Sequence, residues 1–169
     1  MKRFLLVAIF VCAGHLVFGH GFDQAMGIRG GFLTPGIEYR YYTSDSHSFK
    51  ALLGIRNVQN RRGLQLHVLT EYYQYDLFDF SYQLVFYYGF GAHTGYESWD
   101  ETQTDFQTTR QETKTAFVAG IDGLIGLEYL FYEAPVTAGI EVKPYFDFFG
   151  KDGLNVQPLD FAFTIKYLF

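Results

Sequence analysis

Hydrophobic and polar residues alternate along this chain in segment after segment, and the alternation breaks only at short polar or Gly/Pro-bearing stretches. Successive side chains of a strand point to opposite faces, so a two-residue period predicts strands with two unlike faces. Residues 25–33 set Met26, Ile28 and Phe32 against Gly27, Arg29 and Gly31. Residues 36–42 set Ile37, Tyr39 and Tyr41 against Glu38 and Arg40, and residues 49–57 set Phe49, Ala51, Leu53 and Ile55 against Lys50, Gly54 and Arg56. Residues 64–73 carry Leu64, Leu66, Val68 and Tyr72 against Gln65, His67 and Glu71. Residues 81–94 are the most aromatic, with Tyr82, Leu84, Phe86, Tyr88 and Phe90 opposite Gln83, Tyr87, Gly89, Gly91 and His93.

Three more segments complete the set. Residues 116–132 place Phe117, Ile121, Ile125, Leu127, Tyr129 and Phe131 against Gly120, Asp122, Gly126 and Glu128. Residues 136–148 place Ala138, Ile140, Val142, Phe146 and Phe148 against Gly139, Glu141, Lys143 and Asp147. Pro144, late in that segment, predicts a bulge or kink because it cannot donate to a ladder. The chain ends on Phe161, Phe163, Ile165, Tyr167 and Phe169 alternating with Asp160, Ala162, Thr164, Lys166 and Leu168.

Thr34-Pro35-Gly36 is turn chemistry, and residues 44–48 and 59–63 are polar turns. Residues 74–80 read equally as a turn or a strand extension, residues 150–158 as a polar loop, and residues 95–114 as the longest polar loop. About eight strands of about the 9–11 residues a tilted membrane strand needs predict an all-β, antiparallel up-and-down transmembrane barrel.

Alternation does not say which face is outside; a soluble, lipocalin-like ligand-binding barrel would turn the greasy face inward. The opposite face decides. It holds Arg29, Arg40, Lys50, Arg56, Lys143 and Lys166 with Glu38, Glu71, Asp122, Glu128, Glu141 and Asp147, in balance, and is rich in glycine. A narrow barrel needs glycine beside long charged side chains in its lumen, and pairing avoids a lone buried charge. These twelve residues are therefore the expected lumen network, a plug rather than an open pore.

Composition adds the compartment. Aromatic residues make up 20% of the chain. Met1-Lys2-Arg3 followed by the apolar stretch to Gly14, with Val17-Phe18-Gly19 ahead of His20, predicts a signal peptide over residues 1–19 and a barrel domain over 20–169. Removing Lys2 and Arg3 moves the net charge from −5 to −7, and an acidic exported product argues against nucleic-acid partners. Cys12, the single cysteine, leaves with the signal.

Several segments together, Gly36-Ile37-Glu38-Tyr39-Arg40-Tyr41, Leu69-Thr70-Glu71-Tyr72, the run from Tyr87 to Gly95, the run from Ile121 to Tyr129, Lys143-Pro144-Tyr145-Phe146 and the terminal strand, carry a resemblance. Over roughly residues 25–169 the chain resembles small outer-membrane β-barrel proteins of Gram-negative bacteria, with OmpA/OmpX-type architecture. Most of that family has no assigned activity, and the resemblance brings no catalytic residue. It implies an outer-membrane location, contact with membrane lipids and lipopolysaccharide, a monomer, and recognition of Tyr167 and Phe169 by the barrel assembly machinery.

After the soluble barrel, a lipid A-modifying enzyme is the less favoured alternative, and no enzymatic activity is expected. Barrels that resemble lipid A deacylases would carry a histidine two residues from a serine on a lipid-facing strand, whereas His47 is flanked directly by Ser46 and Ser48 in a turn. His67 and His93 fall on the lumen face. No metal-ligand spacing links the histidines, and no cofactor is expected. A surface-binding role falls to the 95–114 loop, where Trp99, Asp100, Glu101, Asp105 and Phe106 are the candidate contacts.

Overall fold

A computed structural model describes residues 23–58, 61–105, 108–151 and 153–169; the signal peptide expected over residues 1–19, His20 and Phe106 lie outside the described residues. The strands are β1 (Gln24–Gly31), β2 (Gly36–Ser44), β3 (His47–Val58), β4 (Arg61–Gln74) and β5 (Leu84–Asp105). They continue with β6 (Thr108–Leu130), β7 (Val136–Val142), β8 (Tyr145–Phe149), β9 (Asn155–Gln157) and β10 (Phe161–Leu168). No helix occurs among the described residues.

Every pairing is antiparallel. β10 pairs with β1, and β5 pairs with both β4 and β6, so the sheet closes on itself. β7 and β8 are one stave interrupted at Lys143-Pro144, and β9 and β10 are another interrupted at residues 158–160. The molecule is thus an eight-staved, closed, up-and-down β-barrel.

Pro144 sits where β6 meets that stave. Its carbonyl accepts from the Gly123 N–H at 2.8 Å, but it has no N–H to return. On its other side, Lys143 bonds Asp160 while Tyr145 pairs with Gln157, so Pro158 and Leu159 together face Pro144 as a bulge. The expected kink is present, and its partner bulge starts at the last residue of the 150–158 stretch read as a polar loop, of which Asn155–Gln157 is strand.

Register fixes the barrel's dimensions. Walking across paired residues from Glu128 through Gly139, Thr164, Arg29, Gly36, Gly54, Gln65 and Gly95 returns to β6 at Val118, ten residues from the start. Eight staves with that shear tilt by about 40° and enclose a backbone radius of about 8 Å, given the usual strand spacings. Side chains fill such an interior.

Two expected boundaries change. Residues 95–114 are not a loop: β5 and β6 pair without interruption from Leu84↔Tyr129 to Asp105↔Thr108. Thr102, Thr104, Thr108, Thr109, Thr113 and Thr115 carry the hairpin past the barrel rim, threonine being among the residues enriched in strands. β4 accompanies β5 only as far as Trp99, so residues 100–105 and 108–113 form a two-stranded ribbon projecting about 20 Å. Residues 75–83 form a loop rather than a strand extension, with Asp76 in the left-handed region at φ 59°.

Outside, the wall is apolar. Along β5 the outward residues run Leu84, Phe86, Tyr88, Phe90, Ala92, Thr94 and Tyr96 without a charge, a band about 30 Å tall at this tilt. Ile28, Ile55, Phe90, Phe163 and Ile165 are all more than half exposed. The greasy face is the outer one, opposite to a lipocalin.

Candidate functional site in the barrel lumen

Each inward charge sits on the even or odd register of its strand that the hydrophobic face leaves over. All twelve expected lumen residues are buried. They meet as one connected ladder. At the end carrying the termini, Arg40 bridges Glu71 at 2.8 Å and Glu128 at 2.6 Å, and Lys166 joins Glu128 at 2.9 Å to Glu38 at 3.4 Å. Lys50 links Glu38 at 2.7 Å to Glu141 at 2.8 Å, and Arg29 extends from Glu141 at 2.5 Å to Asp160 at 3.0 Å. Lys143 lies 3.7 Å from both Asp160 and Asp122. His93 then spans Asp122 and Asp147, and Arg56 closes on Asp147 at 2.9 Å.

Asp160 adds a seventh acid to six cations. His93 restores the balance: its Nδ1 lies 3.1 Å from Asp122 and its Nε2 2.9 Å from Asp147. An ionised carboxylate only accepts, so this placement favours a ring that donates from both nitrogens. With His93 protonated, the ladder balances seven positive against seven negative groups, all withdrawn from bulk water. Removing one member of such a set strands a partner's charge, which costs about 3–5 kcal/mol.

Small residues make this packing feasible. A Cβ on Gly27 would come within 2.6 Å of the Lys166 side chain, and one on Gly126 would overlap the Tyr87 ring. Tyr87 in turn lies under the Arg40 guanidinium, 4.8 Å from ring centre, and donates to Glu141. Tyr145 similarly takes Arg56 at 5.5 Å and Lys143 at 4.7 Å.

Barrel register makes a cluster that linear spacing does not. His67 and His93 are direct cross-strand partners, and with Asp122 they offer ligand atoms within 4.8 Å of one another. Lys143 Nζ stands 3.3 Å from His67 Nδ1 and 3.7 Å from Asp122. A fixed ammonium thus already supplies the cation that these ligands would otherwise attract.

His47 does not meet a serine. Its Nδ1 faces Thr43 Oγ1 at 2.5 Å and its Nε2 faces Thr70 Oγ1 at 2.7 Å, while Ser48 turns inward to Glu71 and Tyr73.

The surface candidates separate from one another. Trp99 is half-buried over the mouth opposite the termini, with Lys151 Nζ 4.9 Å from its ring. Asp100 accepts from Thr113 at 2.7 Å in the open. Glu101 pairs with Lys114, which holds its carboxyl below the ordinary value through a hydrogen bond and opposite charge. The Asp105 backbone belongs to the ribbon, opposite Thr108. Beneath Trp99, the Lys151 N–H donates to Glu97 at 2.7 Å, so the loop after β8 folds over this mouth.

Fold and lumen together define a closed eight-staved β-barrel of inverted polarity, apolar outside and charged within. No family model matches the chain, and no curated protein matches it. The crystal structure of the N-terminal β-barrel domain of Pseudomonas aeruginosa OprF aligns with 89% of this chain and 100% of its own, at 13% identity and TM-score 0.49. The barrel is defined by its strand register independently of that likeness.

Proposed function

We propose that this chain is a monomeric outer-membrane β-barrel whose lumen is plugged by its ion-pair ladder, with a structural or surface-interaction role. The observation that carries this reading is the inverted polarity: a charge-free outer band about 30 Å tall matches a bilayer's hydrocarbon thickness. Tyr41, Tyr72, Tyr129 and Tyr167 ring the band near the termini, with Tyr96, Phe117 and Phe148 near the other edge, as interfacial girdles do. The continuous ladder supports a closed lumen, since water or ions crossing it would have to break buried pairs.

On this reading residues 1–19 direct export and are removed, and the C-terminal Tyr167 and Phe169 guide assembly. Membrane lipids and lipopolysaccharide contact the wall. The ribbon, with Asp100 and Glu101 exposed on it, is the interaction element, and no catalytic step is assigned.

The test combines location and conductance. The protein should fractionate with the outer membrane, migrate faster unheated than boiled in detergent gels, and give no stable channel in planar bilayers. Recovery as a detergent-free periplasmic protein would refute the membrane barrel. A steady open channel would refute the plug alone.

A further inference from the structure

The mouth at the termini differs from the rest of the lumen. A cavity of about 240 Å³ opens there, walled by Tyr42, Tyr73 and Tyr75 and by Val85, Leu130 and Leu168. Its charged lining is Asp23, Asp45 and Glu128, with no lysine or arginine among the lining residues. Glu128, on the floor, is already neutralised by Arg40 and Lys166. Asp23 and Asp45 at the rim have no ion pair among the described residues, whereas every acid of the ladder has at least one. Thr137 also lines the cavity, fully buried, with its hydroxyl beside the Glu128 carboxylate and free to accept a further hydrogen bond.

The rings form a continuous face. Tyr42 and Tyr73 lie 5.7 Å apart, and Tyr73 and Tyr75 lie stacked at 6.4 Å. Aromatic faces and carboxylates both attract cations, and neither attracts anions. Burial, with smaller contributions from the Glu128 and Asp45 carboxylates and against an opposing one from Arg40, pushes the Tyr75 phenol up.

We infer that this vestibule is a binding site for an organic cation, specifically the alkylammonium end of a linear amine. Tyrosine faces and the rim carboxylates take the ammonium, Thr137 accepts one of its N–H bonds, and Val85, Leu130 and Leu168 cover the first methylenes. The volume lies below the usual 300–1,000 Å³ of sites that enclose a whole drug-sized ligand, so one end of a longer chain fits and the remainder projects outward. The site does not depend on which compartment this mouth faces, or on whether the lumen conducts.

The probe is 1,5-diaminopentane, titrated into the full mature chain folded in detergent micelles, with tyrosine ring NMR shifts as readout and 1,5-pentanediol as neutral control. Saturable shifts confined to vestibule tyrosines are expected for the diamine and not for the diol. Asp23→Asn/Asp45→Asn should weaken binding at least fivefold, and Tyr75→Leu should do so separately. Both variants lie in exposed segments outside the ladder, and unchanged heat-dependent gel mobility will show that they still fold. Equal shifts with the diol, no saturable shift with the diamine, or undiminished binding by both folded variants would overturn the inference.

Discussion

At the scale of the residue, glycine and charge are complementary parts of one lumen. Gly27 and Gly30 lie on the same strand, three residues apart, but face opposite sides. A Cβ on Gly27 would approach Ile165 O at 2.5 Å and Lys166 Cγ at 2.6 Å, whereas one on Gly30 would meet only Phe163 O at 3.6 Å. Gly27→Ala should therefore lower unfolding free energy in vesicles by about 1–3 kcal/mol through overpacking. Gly30→Ala should change it by less than about 0.5 kcal/mol, within the ordinary range for surface positions. Urea titrations of the two variants check this, and equal effects would contradict the assignment of faces. Both glycines were legible as face members because the strand period is two. The pairs they accommodate were not, because Arg29 reaches Glu141 and Lys50 reaches Glu141 only through a shear that no local pattern encodes. Asp160 falls on the inward side of the terminal alternation, but its contact with Arg29 rests on the bulge at Pro158-Leu159.

Elements were legible where burial on one side enforces alternation, and misread where it stops doing so. The segment 95–114 is polar on both faces, which in sequence resembles a loop; in the fold it is the outer half of a hairpin whose backbone bonds persist in solvent. For residues 74–80 the sequence leaves a turn and a strand extension open, and the turn holds; Tyr82, read as part of the next strand, lies exposed with Leu77 and Phe80 in a loop beside the vestibule. The hairpin divides at its rim. Glu97 and Trp99 belong to the mouth, through the Lys151 backbone and side chain, while among the described residues the two strands of the ribbon beyond them pair only with each other. Deleting residues 101–112 and closing the ends with a two-residue turn should leave barrel stability and heat-dependent mobility unchanged while removing any ribbon-dependent surface binding. Failure of that variant to fold would show that the ribbon is part of the barrel's own nucleus.

Across the whole molecule, one arrangement links fold, energetics and location. The tilt that closes eight staves with a shear of ten orders the ladder along the barrel axis, from Glu71 and Arg40 near the termini to Arg56 and Asp147 near the opposite mouth. The same geometry turns the charge-free rows, such as Leu84, Phe86, Tyr88 and Phe90 on β5, outward. A water-soluble protein of this polarity would expose an apolar wall far larger than monomers tolerate. The central claim is that this wall meets lipid, and spin labels placed singly at residues 161–168 test it most directly. Residues 20–169 contain no cysteine, the chain's single one being Cys12, so each cysteine engineered into that span is unique there. In reconstituted bilayers, oxygen accessibility should alternate with a period of two, high at 161, 163, 165 and 167 and low at 162, 164 and 166. Water-soluble relaxants reaching 163 and 165, or an alternation of opposite phase, would contradict the account.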